Sequence, residues 1–229
     1  KVYGGVMANK AVRFTGSEWI QIPNDPSRDN VKNGFIEAII LADNTGDDNY
    51  MGDDIGGSNN DWHLYTSGGF LWFTIEATET VNNNSDAAPP TGAYFHYVTQ
   101  WGADGVIMYI NGVAQADTDA YTGPVGRTGA GITLGGTRGA GSLHGNIAMF
   151  RIYERLPGAT EIADLYNGGK FRYWPVNMNG LLIWLPMDEG TGIKVFDKST
   201  YGQVGELNSS PSWVDGPDIL FMQNVPRRR

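Results

Sequence analysis

The chain contains no cysteine and few charged residues, and both absences narrow what the protein can be. Without cysteine there is no disulfide framework, no thiolate metal site and no thiol nucleophile. Charged residues make up 18% of the 229 residues and hydrophobic residues 41%. This composition is that of a folded domain with a sizeable core, and it excludes a disordered polyelectrolyte.

Long apolar runs and a surplus of basic residues are also absent. No segment reaches the roughly 18 apolar residues that a membrane-spanning helix needs, so we expect no membrane partner. The 25 acidic residues outnumber the 16 basic ones and give a net charge of −9. We therefore expect no nucleic-acid binding by the main body, although the tail PRRR at 226–229 is basic. The chain begins at Lys1 without a recognisable signal peptide, so we expect it to be a processed or excised piece of a longer product.

Turn-forming residues and short alternating segments are abundant. The chain has 32 Gly and 11 Pro, which separate segments in which apolar residues recur with a period of two. Two long polar stretches, 43–61 and 79–93, are predicted to be loops. Strands are predicted in AVRF (11–14), WIQI (19–22), FIEAIIL (35–41), WHLY (62–65), FLWFTI (70–75), YFHYVTQW (94–101), GVIMYI (105–110), ITLG (132–135) and NIAMFRIY (146–153).

Two local signals are specific. Asn111-Gly112 lies between two strand-like runs, and both residue types tolerate positive φ, so the pair predicts a type I′ hairpin turn. The segment 159–169 predicts one short helix, with Thr160 as N-cap and Ile162, Leu165 and Tyr166 on one face. The expected fold is therefore all-β, a two-sheet antiparallel sandwich with one short helix on the C-terminal side.

Five segments, in order, resemble the laminin-G-like branch of the concanavalin A-like jelly rolls. They are AVRFTGSEWIQIP, FIEAIIL, YFHYVTQWGADGVIMYINGVAQ, ITLGG and LHGNIAMFRIYERLPGATEIADLYN, which together span about 11–169. The resemblance implies a jelly-roll fold and one of three kinds of function, which are those of a lectin, a structural protein or a glycosidase. Two positions depart from the family pattern, because Ala148 replaces an expected Asp and Phe95 replaces an expected Trp.

The C-terminal part resembles the leader that normally precedes such a domain. This similarity lies in GLLIWLPMDEGTGIKVFDKSTYGQVGELNSSPSWV, 180–214. We therefore predict a jelly-roll domain at 1–172 and a C-terminal extension at 173–229. The extension either packs on its own chain or is donated to a neighbouring copy, which would give a homo-oligomer.

The sequence offers no catalytic pattern. Glycosidases of this fold place paired carboxylates on one face of a strand, whereas Glu76 and Glu79 would face opposite sides. The histidines, His63, His96 and His144, are scattered without metalloprotease spacing. We expect no enzyme, and a glycoside hydrolase is the less favoured alternative.

Candidate ligand sites are of two kinds. Six aspartates lie in 43–61, and Asp43, Asp47, Asp48 and Asp53 are the candidate ligands for Ca²⁺, although a solvated acidic loop is the alternative. Trp62, Trp72, Trp101 and Tyr121 are candidate sugar-binding aromatics, although core packing is the alternative for each. Of these four, Trp62, Trp101 and Tyr121 are selected as the predicted ligand-binding residues.

We therefore expect a non-enzymatic module that binds glycan or protein surfaces. The expected location is extracellular, on a cell surface or on a virion. A phage or virus decoration or fibre protein that assembles through its C-terminal extension is the alternative, since the fold alone does not decide between them.

Overall fold

A computed structural model describes residues 9–53, 61–77, 80–126, 128–136 and 143–219. Within these residues the chain forms sixteen strands and one α-helix, α1 (Glu161–Tyr166). The strands are β1 (Lys10–Thr15), β2 (Trp19–Ile22), β3 (Gly34–Ala42), β4 (Asn49–Asp53), β5 (Asp61–Ser67), β6 (Phe70–Glu76), β7 (Thr80–Asn84), β8 (Tyr94–Trp101), β9 (Val106–Ile110), β10 (Val113–Asp119), β11 (Ile132–Leu134), β12 (His144–Tyr153), β13 (Leu181–Leu185), β14 (Lys194–Phe196), β15 (Val204–Asn208) and β16 (Ser212–Asp215).

The strands form two antiparallel sheets. Sheet A has the order β10-β9-β8-β3-β12-β1-β16, and β13 pairs with the part of β12 that β1 leaves open. Sheet B has the order β14-β15-β2-β11-β4-β5-β6-β7. The prediction of an all-β, two-sheet antiparallel sandwich is confirmed.

The main core lies between the two sheets. Alternation along each strand directs one set of side chains inward, and these side chains are removed from solvent. Phe14 and Phe150 of sheet A and Ile20, Leu64 and Phe73 of sheet B each have 0% exposure. Burial of this apolar surface is the main favourable contribution to folding.

The outer face of sheet A is covered by α1 and by residues 171–174. Leu165 of α1, Phe171 and Tyr173 pack there on Tyr153 and Trp184. The helix has six residues, and within the described residues no helix is long and apolar enough to cross a bilayer. Sheet A is therefore buried on both faces over much of its area.

A buried ion pair lies beneath this covering layer. Glu37 of β3 and Arg151 of β12 have 0% exposure, and Arg151 Nη1 lies 2.7 and 2.9 Å from the two carboxylate oxygens of Glu37. His96 Nε2 lies 3.2 Å from Glu37 Oε1. Burial by itself would raise the pKa of Glu37, but the charge of Arg151 and the contact with His96 hold that pKa below its ordinary value.

Residues 181–215 supply strands to both sheets of the same chain. In sheet A, β13 pairs with β12 and β16 pairs with β1. In sheet B, β15 pairs with β2 and β14 pairs with β15. The domain boundary at residue 172 and the donation of this segment to another chain both stay predictions.

Two segments that the sequence predicts to be loops contain strands. Strand β4 lies inside 43–61, and β7 lies inside 79–93. Asn-rich segments such as TVNNN are depleted in strands, but here tertiary contacts override that preference. Asn83 is fully buried and donates to Asp117 O at 2.6 Å, and the backbone N–H of Asn84 donates to Asp117 Oδ2 at 2.8 Å.

The hairpin and helix signals can be compared with the observed backbone. Asn111 and Gly112 have φ of 52° and 77° and connect β9 to β10, as the turn prediction requires. The helix is shorter than the predicted 159–169, and the side chain of Thr160 forms no hydrogen bond that caps it. Thr160 occupies the predicted N-cap position, and its backbone oxygen accepts from the Asp164 N–H at 2.9 Å, but its side chain does not contribute to the cap.

Candidate functional site

A polar groove lies on the outer face of sheet B, across β4–β7. It has a volume of about 330 Å³. The lining residues are Asn49, His63, Tyr65, Thr74, Glu76, Thr80 and Asn82, and we call this set the polar groove. Clefts with several convergent polar groups are the usual form of small-molecule sites.

Strand register brings these side chains together. His63 on β5 is opposite Thr74 on β6, which is opposite Asn82 on β7. The intervening residues Leu64 and Phe73 have 0% exposure and belong to the core. Because side chains alternate along a strand, the apolar residues that build the core also fix His63, Thr74 and Asn82 on the opposite face.

A second cross-strand row adds aromatic surface beside this one. Tyr65 on β5 is opposite Trp72 on β6, which is opposite Asn84 on β7. Tyr65 and Trp72 are partly exposed, and Trp72 Nε1 donates to Ser67 O at 3.1 Å. This bond fixes the indole orientation, so two neighbouring rings border the polar groups.

Gly52 on β4 keeps space beside His63. A Cβ at this position would lie 2.6 Å from Trp62 O and 2.8 Å from His63 Cδ2. The first contact is with backbone, which cannot move aside as a flexible side chain can. Glycine therefore permits both the close approach of β4 to β5 and the observed position of the imidazole.

Several groove side chains have unused hydrogen-bonding capacity. Among the residues that the structure describes, His63, Glu76 and Asn82 have no side-chain hydrogen-bond or ion-pair partner. Burial and the negative charge of Glu76 raise the pKa of Tyr65, so its phenol is protonated at neutral pH. The groove therefore offers a phenol, an imidazole, an amide and a carboxylate to a ligand.

The groove has little of what bond cleavage requires. Glu76 is the one carboxylate among the seven lining residues. Glycoside hydrolysis ordinarily uses two carboxyl groups on either side of the scissile bond. In the described part of the chain there is also no cluster of three or more His, Asp or Glu side chains able to hold a metal ion.

The aromatic residues predicted to bind ligand lie inside the sandwich. Trp62, Trp101 and Tyr121 are 3%, 2% and 8% exposed. Trp62 stacks on Phe73, Trp101 Nε1 donates to Val31 O at 2.8 Å, and the Tyr121 hydroxyl donates to Pro124 O at 2.9 Å. The structure thus packs all three rings within the protein, which is the alternative given for each of them in the sequence analysis.

The four aspartates predicted to bind calcium are not brought together as a site. Asp43 binds the Arg13 guanidinium, and Asp47 Oδ1 accepts from the Gly68 N–H at 3.2 Å. Asp48 accepts from the backbone N–H of His144 and contacts its Nδ1, whereas Asp53 is 4% exposed. Within the described residues these aspartates form no cluster of three or more groups that could hold a metal ion, and calcium binding stays a prediction.

The residues of the polar groove were not among the sequence-based candidates. The alternation in WHLY and FLWFTI carried the signal, because it places His63, Tyr65, Trp72 and Thr74 opposite the core face. The third strand of the groove, β7, was predicted to be loop, which concealed Asn82. The groove residues on β5, β6 and β7 could therefore be recognised as one surface only from the strand order of sheet B.

The sequence and the fold can be compared with known protein families and solved structures. The family model Laminin_G_3, described as the concanavalin A-like lectin/glucanases superfamily, matches residues 8–163. The chain belongs to this superfamily. No curated protein matches the concanavalin A-like chain.

Solved structures share the fold at low sequence identity. A Bacteroides ovatus protein proposed to bind carbohydrate is 18% identical with a TM-score of 0.66, and the match covers 92% of this chain but 61% of that one. Domain 4 of an extracellular GH43 arabinanase, AbnA from Geobacillus stearothermophilus, solved with arabinotriose, is 17% identical with a TM-score of 0.59 over 72% of this chain and 80% of that one. A pentraxin from Limulus polyphemus is 12% identical with a TM-score of 0.51 over 69% and 82%.

Proposed function

We propose that this concanavalin A-like module binds an oligosaccharide in the polar groove and does not cleave it. The observation that carries the proposal is that His63, Glu76 and Asn82, whose side chains have no hydrogen-bond or ion-pair partner among the described residues, lie beside the Tyr65–Trp72 pair. Sugar rings present apolar C–H faces and polar hydroxyl edges, so they match aromatic surface next to hydrogen-bonding groups. The outer face of β5–β7 offers both.

Two structural neighbours agree with this direction. One is proposed to bind carbohydrate, and the other was solved with arabinotriose. At 17–18% identity they share the fold, and the ligand does not transfer with it. They nevertheless make arabinotriose a reasonable first probe.

Among the described residues that line the groove, Glu76 is the one carboxylate, and this supports a binding role over hydrolysis. Glycoside hydrolysis ordinarily needs one carboxyl group as general acid and a second as general base or nucleophile. A site with a single carboxyl group therefore lacks one of these two functions. We propose that the protein binds its glycan outside the cell or on a cell surface. Assembly into a virion has no specific observation in its favour.

The decisive experiment is a glycan array followed by calorimetric titration of the strongest binder, with arabinotriose included. We expect Tyr65→Ala and Asn82→Ala to weaken binding at least about tenfold, equivalent to about 1.4 kcal/mol, because each removes a groove contact. Asn208→Ala is the matched control, since Asn208 lies on β15 of the same sheet, outside the groove. Circular dichroism of every variant separates lost contacts from lost folding.

The proposal fails if no glycan binds. It also fails if the two groove variants bind as well as the control. Hydrolysis of the bound oligosaccharide, followed by chromatography of the products, would contradict the non-catalytic role while leaving the groove as the site.

A further inference from the structure

We propose that the polar groove takes neutral oligosaccharides and rejects acidic ones, and that Glu76 is the residue that determines this specificity. The inference rests on the proposed function, because it names the class of sugar that the same groove would accept. Uronic acids and sulfated sugars are the ligands that it excludes.

The position of Glu76 makes it the dominant charge of the groove. It ends β6, opposite Asp61 on β5 and Thr80 on β7, and its side chain is partly exposed along the groove wall. Its carboxylate has no ion-pair partner among the described residues. Lysine and arginine are absent from the seven lining residues, so no lining side chain with a permanent positive charge offsets that negative charge.

The negative charge of the Glu76 carboxylate acts on other residues of the groove. The pKa of Tyr65 is raised mainly by burial, and the Coulomb interaction with Glu76 raises it further. The net charge of the whole chain is −9, which adds a long-range repulsion toward anionic ligands.

These charges act differently on the two ligand classes. A neutral sugar can donate its hydroxyl protons to the Glu76 carboxylate, which makes charge-assisted hydrogen bonds. A sugar carboxylate or sulfate brings a like charge next to Glu76, where none of the described lining residues is a lysine or arginine, and that juxtaposition is unfavourable. Selectivity therefore arises from repulsion of the wrong ligand as much as from attraction of the right one.

The test is an array of matched pairs, each consisting of a neutral oligosaccharide and its uronic acid counterpart, such as galactan and galacturonan fragments. The intact chain is expected to bind the neutral member of a pair at least about tenfold more tightly. Glu76→Gln keeps the shape of the side chain and one acceptor oxygen but removes the charge. This substitution is expected to reduce the ratio of the two affinities to about threefold or less. Glu206→Gln, an exposed glutamate on β15 outside the groove, is expected to leave the difference unchanged.

Salt provides an independent readout, because raising the ionic strength screens charge repulsion and leaves neutral hydrogen bonding largely intact. We expect 0.5 M NaCl, an ionic strength well above about 0.15 M, to improve binding of the acidic member alone. Equal or tighter binding of acidic sugars by the intact chain would overturn the inference and leave the proposed function standing. An unchanged preference in Glu76→Gln would also overturn it, whereas absence of any binding would overturn both.

Discussion

At the scale of single residues, the Glu37–Arg151 pair shows how a buried charge is tolerated. Both side chains have 0% exposure, and Arg151 also donates to the backbone oxygen of Arg172 at 2.9 Å. Segment 171–174 thereby fastens onto sheet A through the same guanidinium that neutralises Glu37. Isolated charges are strongly unfavourable in such surroundings, so each partner depends on the other.

Removing one member of the Glu37–Arg151 pair should therefore strongly destabilise the protein. We expect Glu37→Leu to lower the free energy of unfolding by about 3–5 kcal/mol, because Arg151 is left buried and unpaired. Urea unfolding measures this value, and the double variant Glu37→Leu with Arg151→Met should recover part of the loss. Asp215→Asn, which breaks the exposed pair with Lys10, is the control and should leave the unfolding curve unchanged. A small effect of Glu37→Leu would contradict the assigned role.

The same pair predicts a dependence on pH. The folded-state pKa of Glu37 is lowered from its ordinary value of 4.5, so its contribution to stability is complete above that value and is lost as the pH falls below it. Urea titrations at a series of acidic pH values should show a steeper loss of stability for the intact chain than for Glu37→Leu. Parallel pH curves for the two proteins would refute this linkage.

At the scale of elements, the β9–β10 hairpin is where sequence and structure agree most directly. Asn111 has φ of 52°, and its side-chain oxygen accepts from the His96 N–H at 2.9 Å while its own N–H donates to His96 O at 2.8 Å. One residue thus makes the turn and extends the pairing toward β8. The Asn-Gly signal predicted the turn because φ/ψ preferences are local.

Substitutions can separate the two roles of Asn111, which are to adopt positive φ in the turn and to accept the hydrogen bond from His96. We expect Asn111→Ala to destabilise the protein by about 1–3 kcal/mol, since it places a strained residue at positive φ and removes the bond to His96. Asn111→Gly should be milder, because glycine accepts the backbone conformation and loses only the hydrogen bond. Thermal unfolding of both variants makes the comparison, and an equal loss in the two would show that backbone strain contributes nothing.

Other elements could not be predicted from local sequence. Strand β7 consists of TVNNN, and β4 of NYMGD, so both have weak strand propensity and are held by neighbouring strands. Three of the seven polar-groove residues lie on these two strands, which is why sequence analysis favoured Trp62, Trp101 and Tyr121 instead. Alternation predicted which face each residue of β5 and β6 occupies, but not that the face opposite the core would carry the groove.

At the scale of the whole molecule, the C-terminal strands close the sandwich. Asn9 and the segment after β16 are held together, because Asn9 Nδ2 donates to Pro217 O at 2.7 Å and the Gly216 N–H donates to Asn9 O at 2.8 Å. The resemblance of 180–214 to a leader segment predicted that this stretch packs on a jelly-roll body, either of its own chain or of a neighbouring copy. Its partner strands, β1, β2 and β12, followed only from long-range pairing, which no local pattern encodes.

This arrangement gives a prediction about assembly. We expect the full chain to have the mass of one chain by light scattering, because all four C-terminal strands pair within the chain. Deletion of 180–229 should prevent stable folding, since it removes buried residues such as Leu182 and Ile183 and opens unpaired strand edges. A stable dimer of the full chain, or a folded and monomeric truncation, would contradict this expectation.

The central claim is that the outer face of β5–β7 binds sugar. The most direct measurement is an NMR titration of the isotopically labelled full chain with the strongest array binder. The account predicts that amide signals of β5, β6 and β7, including those of His63 and Asn82, shift with a common dissociation constant while signals beneath α1 stay fixed. Shifts confined to sheet A, or to the loops around Trp101 and Tyr121, would contradict it.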